Sequence, residues 1–252
     1  MNENHAGNRL LVPQYGAAMI LIATFLPALL KAFAGIATRP LSGFATGIDI
    51  SAYLLLEAFF FIVVIYFLGR RDGAFDFKTA IPYQARLNPL VFLALLVGVS
   101  VYAIFFRDFF RWAPLMNFAG YLRELLSFWP PEWLYRPGFG FEDENAAKAT
   151  RIGTLIFGMI SISAASAVQT IYFRGFLLPR MEYLGWAAPV LNTALFAMFH
   201  IHSPAFWHLF FIFTLGWGVV AYAVRNVWVV AISHVIFNTY SLFGAIYAAA
   251  TS

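Results

Sequence analysis

Six polar residues in a mostly apolar stretch have the types and spacing to do chemistry: Gln169, Thr170, Arg174, His200, His234 and Asn238. Thr170 and Arg174 are four residues apart, as are Phe196 and His200, and His234 and Asn238, so on helices each pair shares one face. Two imidazoles and a carboxamide can polarise a carbonyl and donate hydrogen bonds to an oxyanion. Hydrolysis also needs a base to take a proton from water, usually a His or a carboxylate of tuned pKa. No carboxylate stands beside them in the same stretch, where Gln169 and Thr170 occupy the turn in which one is expected. A zinc site built from His200, His202, His208 and His234 is the competing arrangement. With no Cys in the chain, with His202 off the His200 face and His208 beyond Pro204, the fixed third ligand of a catalytic zinc is missing. No metal or cofactor is expected.

The elements that position these residues have to be membrane spans. Of 252 residues, 62% are hydrophobic and 11% charged, and the mean hydropathy is +0.75. A soluble domain has about 25% charged residues, and so few charges could not cover the outside of a water-soluble core. A soluble enzyme and a disordered chain are both excluded. The net charge of +4 is no sign of nucleic acid, because the basic residues lie between apolar runs. A span needs about 20 apolar residues, which predicts an all-α polytopic transmembrane bundle of about seven spans. They are Tyr15 to Phe33, Ile50 to Leu68, Leu90 to Phe106, Ile152 to Leu178, Ala187 to Ile201, Phe206 to Val224 and Val227 to Ala248. The fifth is short. Residues 1–151 form an N-terminal membrane unit and residues 152–252 a core that carries the polar set.

Arg70, Arg71, Lys78 and Arg86 crowd the connection after the second span and place it in the cytoplasm, with the N-terminus, Arg174, Arg180 and Arg225. The long segment from Phe106 to Arg151 mixes six basic with six acidic residues and falls on the other side. Its Trp112, Trp129 and Trp133 predict short helices lying on the bilayer. Arg9 before an apolar run ending in Ala32-Phe33-Ala34 could suggest a leader, but Pro27 and Lys31 sit awkwardly for cleavage, and the run reads as a true span. Counting 1.5 Å per residue from these edges puts His234 at ~10 Å depth, Gln169 at ~13 Å, Asn238 at ~16 Å and His200 at ~20 Å. Four polar side chains on three spans therefore share one slab. Glu57, in the second span, is either an internally paired or protonated packing residue or a functional one.

Gln169-Thr170-Ile171-Tyr172-Phe173-Arg174-Gly175 resembles the Glu-Glu-x-x-x-Arg motif of the CPBP family, the CAAX-protease and bacteriocin-processing membrane proteins. Phe196-x-x-x-His200 and His234-x-x-x-Asn238 resemble its second and third motifs, in the same order. The resemblance covers roughly Ile152 to Leu242. It implies a CAAX-protease-like four-helix catalytic core and a cytosol-facing glutamic peptidase site, acting on membrane-tethered peptides, prenylated proteins included. It implies that position 169 activates water and that His200 and His234 orient that water and polarise the scissile carbonyl. Asn238 then stabilises the oxyanion. Arg174 is structural, or holds position 170 and nearby carbonyls.

Gln has nearly the shape of Glu but takes no proton from water at any accessible pH. Three readings stay open. Glutamine replaces a native glutamate in an inactivated form of a working endopeptidase, the chain is a natural pseudoprotease that binds a membrane partner without cutting it, or His200 or His234 supplies the base. As it stands, the chain is expected to be catalytically impaired. A transporter or scaffold is the alternative from a different class, but no internal repeat supports it. A degenerate site leaves room for a partner subunit. Compactness and the resemblance point to a bacterial or archaeal inner membrane.

Overall fold

The computed structural model describes residues 12–38, 48–73, 76–112, 121–122, 124–125, 148–200 and 204–251. Its helices are α1 (Ala17–Thr38), α2 (Ile48–Arg71), the single turn α3 (Phe77–Ala80), α4 (Pro89–Trp112), α5 (Lys148–Thr170), α6 (Ala187–Phe199), α7 (Trp207–Val224) and α8 (Val227–Thr251). No strand occurs among the described residues, and the fold is an all-α bundle. Trp129, Trp133 and most of the segment from Phe106 to Arg151 lie outside the described residues, as does the side chain of Trp112.

The bundle is apolar on the outside and polar within. Leu29, Phe33, Phe59, Phe67, Leu90, Val101 and Phe105 are exposed, while Thr24, Lys31, Glu57, Ser166, Gln169, Thr170, Arg174, Asn192, Ser233 and His234 are buried. A water-soluble fold has the reverse arrangement. In lipid the apolar faces meet acyl chains, and the polar groups find partners among themselves. The protein is an integral membrane protein.

Among the described residues, five helical stretches are long and apolar enough to cross a membrane: Ala17–Ala34, Ser51–Arg71, Pro89–Arg107, Leu155–Leu184 and Pro204–Val224. The expected fifth span is a shorter apolar helix, Ala187–Phe199, and the expected seventh lies in the 25-residue α8, Val227–Thr251. The 13 residues of α6 rise only about 20 Å against a ~30 Å hydrocarbon core. The sequence reading carried this helix on to Ile201, but it stops at His200, whose ψ of 55° leaves the helical region.

The larger of two buried clusters among the described residues joins the two halves of the chain. It takes Tyr15, just before α1, with Ala23, Phe61 and Val64 from the first two helices and packs them with Tyr172, Phe173, Phe176, Phe199, Trp217 and Val230. α5 lies against both α2 and α8, and α4 lies against α7 and α8. Two close approaches depend on glycine: a Cβ on Gly218 would fall 2.5 Å from Thr193 Oγ1, and one on Gly175 2.7 Å from Ile81 Cγ2.

The loop after α2 is stitched to the α7–α8 turn. Arg225 takes a left-handed conformation at φ 49°, and Ala85 N donates to its carbonyl at 2.9 Å. Val227 N donates to Tyr83 O at 2.8 Å, and Asn226 Nδ2 to Ala85 O at 2.8 Å. The Tyr83 hydroxyl donates to Glu182 at 2.7 Å, and burial together with that carboxylate pushes the phenol above its ordinary range. Asp76 caps α3, and the Thr79 backbone N–H that it accepts holds its carboxyl below the usual range.

Candidate active site

α5 does not run on regularly through the first motif. After Thr170 the backbone widens into a π-helical turn, Ile171–Leu177, and then tightens into a 3₁₀ segment, Leu178–Leu184. Such π turns are rare and concentrate at functional sites. Gln169 and Thr170 are the last residues before the helix widens, and Arg174 lies inside the turn.

Arg174 is buried and reaches α6, where Nη1 donates to Asn192 Oδ1 and, at 3.3 Å, to the Asn192 carbonyl. Asn192 Nδ2 returns a bond to Phe173 O at 2.9 Å. The guanidinium lies 5.2 Å from the centre of the Phe196 ring. Arg174 therefore anchors the motif-one turn to the helix that carries His200. It holds the Asn192 side chain and carbonyl and not Thr170, which has another partner.

That partner is His234. Thr170 Oγ1 and His234 Nδ1 lie 2.9 Å apart, and the hydroxyl can serve either tautomer. The His234 ring packs 4.4 Å from Trp217, whose indole N–H donates to Ser233 Oγ at 3.0 Å. One turn further on, Asn238 Nδ2 donates to Ser166 Oγ of α5. His200 Nδ1 lies 3.0 Å from the Phe196 carbonyl. A carbonyl only accepts, so Nδ1 of the neutral ring carries the proton and Nε2 is the acceptor nitrogen. The Phe196 ring touches both imidazoles, with centroids 5.0 Å from His200 and 6.1 Å from His234.

Gln169 faces in another direction. Its Nε2 donates to Glu57 Oε1 at 2.6 Å, and the same oxygen takes Lys31 Nζ at 3.1 Å. Glu57 is 1% exposed, and its second oxygen is buried without a hydrogen-bond partner. The Lys31 ammonium also lies 4.8 Å from the Phe199 ring centre, beside the helix end that carries His200. A carboxylate does reach the site, then, from α2 rather than from the motif helix.

Thr170, His234 and the His200–Phe196 face come together, Asn238 is bound to α5 through Ser166, and Gln169 is drawn toward α1 and α2. The sequence reading treated Glu57 as internally paired or functional but did not identify its partners. Asn192 and Ser166 carry no motif in the sequence and emerge only from the packing. One signal was available: Lys31 and Glu57 are charges in consecutive spans, and intramembrane charges pair. Among the described residues, no group of three His, Cys, Asp or Glu could hold a metal.

Residues 150–240 match the model of a family described as Type II CAAX prenyl endopeptidase Rce1-like. No curated protein and no solved structure matches the chain.

Proposed function

We propose that this chain holds a membrane-tethered peptide, prenylated proteins included, on a CAAX-protease-like scaffold whose water-activating step is disabled at Gln169. The observation that carries this reading is the Gln169 Nε2 to Glu57 bond of 2.6 Å. The position that would take a proton from water in the family mechanism holds a carboxamide, which here acts as a hydrogen-bond donor. The groups that would hold a peptide remain: the Thr170–His234 pair and the Asn238 amide on α8 can donate to a carbonyl, and His200 Nε2 can accept from an N–H or a water. A second reading has one observation behind it. The unpartnered Glu57 oxygen could take the proton that Gln169 cannot.

A photoreactive, lipid-tethered peptide offered to the full chain in liposomes tests both. Crosslinking without any cleaved product is expected. Failure to capture any tethered peptide overturns the proposal. Cleavage by the unchanged chain that disappears in Glu57→Gln transfers the role of base to Glu57.

The cavity opens to the cytoplasm in this proposal, in a bacterial or archaeal inner membrane. A chain with no cysteine of its own makes the side easy to read. Lys78→Cys should react with an impermeant maleimide only from the cytoplasmic face. Labelling only from the opposite face would invert the topology.

A further inference from the structure

The two ends of a glutamine amide look alike, and its neighbours decide which way it faces. Here they decide it firmly. A carboxylate paired with an ammonium can only accept hydrogen bonds. Glu57 Oε1 lies 2.6 Å from the Gln169 amide and 3.1 Å from Lys31 Nζ. The Gln169 NH₂ must therefore point at Glu57, and its carbonyl oxygen must turn away from it. Gln169 is 7% exposed, and no described residue donates to that carbonyl oxygen. Its chain neighbour Thr170 holds His234.

Building on the peptide-holding reading above, we propose that Lys31 and Glu57 are a positioning pair that locks the Gln169 carboxamide in one orientation. The locked carbonyl oxygen is then an acceptor for a backbone N–H of the bound peptide. The position at which the related proteins are expected to activate water becomes a peptide-reading contact. The pair supplies what a free glutamine lacks. Without it the amide flips at little cost and offers a donor as often as an acceptor. With it, only a donor on the ligand is matched, and buried polar groups left unmatched are costly. The ligand class is thus a peptide presenting an N–H at this depth, and a peptide bond without that hydrogen is disfavoured.

The test uses the full chain in nanodiscs and a set of lipid-tethered peptides, each methylated at one backbone nitrogen. In the unchanged protein, one methylated position should weaken binding about three- to tenfold, the value of one hydrogen bond. In Glu57→Gln the unmodified peptide should still bind, while the penalty at that position falls to within about twofold, since a neutral amide no longer dictates the flip. Glu57→Gln leaves the Lys31 ammonium without its counter-charge, so a second protein, Lys31→Met with Glu57→Leu, removes both charges together and should lose the penalty in the same way. The proposal is overturned if the unchanged protein binds the peptide with no sensitive position, or if the penalty survives in both variants. A protein that captures no tethered peptide at all overturns the proposed function itself, which the unmodified peptide reports directly.

Discussion

Exchanging the two side chains, Gln169→Glu together with Glu57→Gln, should give a protein that cleaves a tethered peptide about 10²–10⁴ times faster than the unchanged chain. That range is what a positioned general base contributes, and it corresponds to about 3–5.5 kcal/mol of barrier at 1.36 kcal/mol per decade. The gain could be larger if the carboxylate also fixes the attacking water. The exchange preserves the network and reverses its direction. A glutamine at position 57 can accept from Lys31 and donate to a carboxylate at position 169. Gln169→Glu alone should gain much less. It sets two carboxylates at the 2.6 Å now spanned by an amide hydrogen bond, with a single ammonium beside them, and like charges that close share a proton. In the exchanged background, His200→Ala or His234→Ala should return cleavage to the starting level. Product formation from a fluorogenic tethered peptide in liposomes measures all of this. A folded, exchanged protein less than tenfold faster than the unchanged chain would show that position 169 is not where water is activated.

Asp72→Ala should cost about 3–5 kcal/mol of stability, the value of stranding a buried charge. Arg180 is fully buried and donates from Nε to Asp72 Oδ2 at 2.7 Å, and the Tyr15 hydroxyl donates to the same oxygen at 2.7 Å. Arg180 Nη1 donates to the Phe176 carbonyl at 2.7 Å and the Ala80 carbonyl at 3.2 Å, its Nη2 is buried with no hydrogen-bond partner among the described residues, and the guanidinium stacks 3.6 Å from the Phe176 ring centre. Those carbonyls cannot replace the lost negative charge. Arg180→Met with Asp72→Leu should cost clearly less, because no charge is left unpaired. Unfolding in mixed detergent–SDS micelles reads the difference. Equal losses in the two proteins would mean that the pair contributes packing alone.

Much of the architecture could be read from the chain. Apolar runs of span length announce the bundle, and three motifs in order single out Thr170, His200, His234 and Asn238, of which the structure joins Thr170 to His234. What was hidden has physical reasons. Lys31 and Glu57 meet Gln169 only through tertiary packing, across a separation of 112 residues for Glu57. The π turn uses residues, Ile171–Leu177, that an α-helix accepts equally well, so periodicity could not reveal it. α6 ends at His200 without a Gly or Pro immediately after it to mark the stop. The Arg174–Asn192 hook joins two helices whose polar residues look, one at a time, like ordinary intramembrane hydrogen-bonding groups.

The Lys31–Glu57–Gln169 network also bears on inheritance. Three positions on three helices that satisfy one another are under selection as one trait, because a change at any of them leaves a buried group unmatched. Descendants of this chain should keep the charged pair with the glutamine or lose all three together. A lineage that carries glutamate at 169 is expected to lack the acid at 57. The stretch that matches the family, residues 150–240, contains only one of the three. A comparison confined to it sees position 169 alone, whereas the two residues joined to it in the network lie more than a hundred positions upstream.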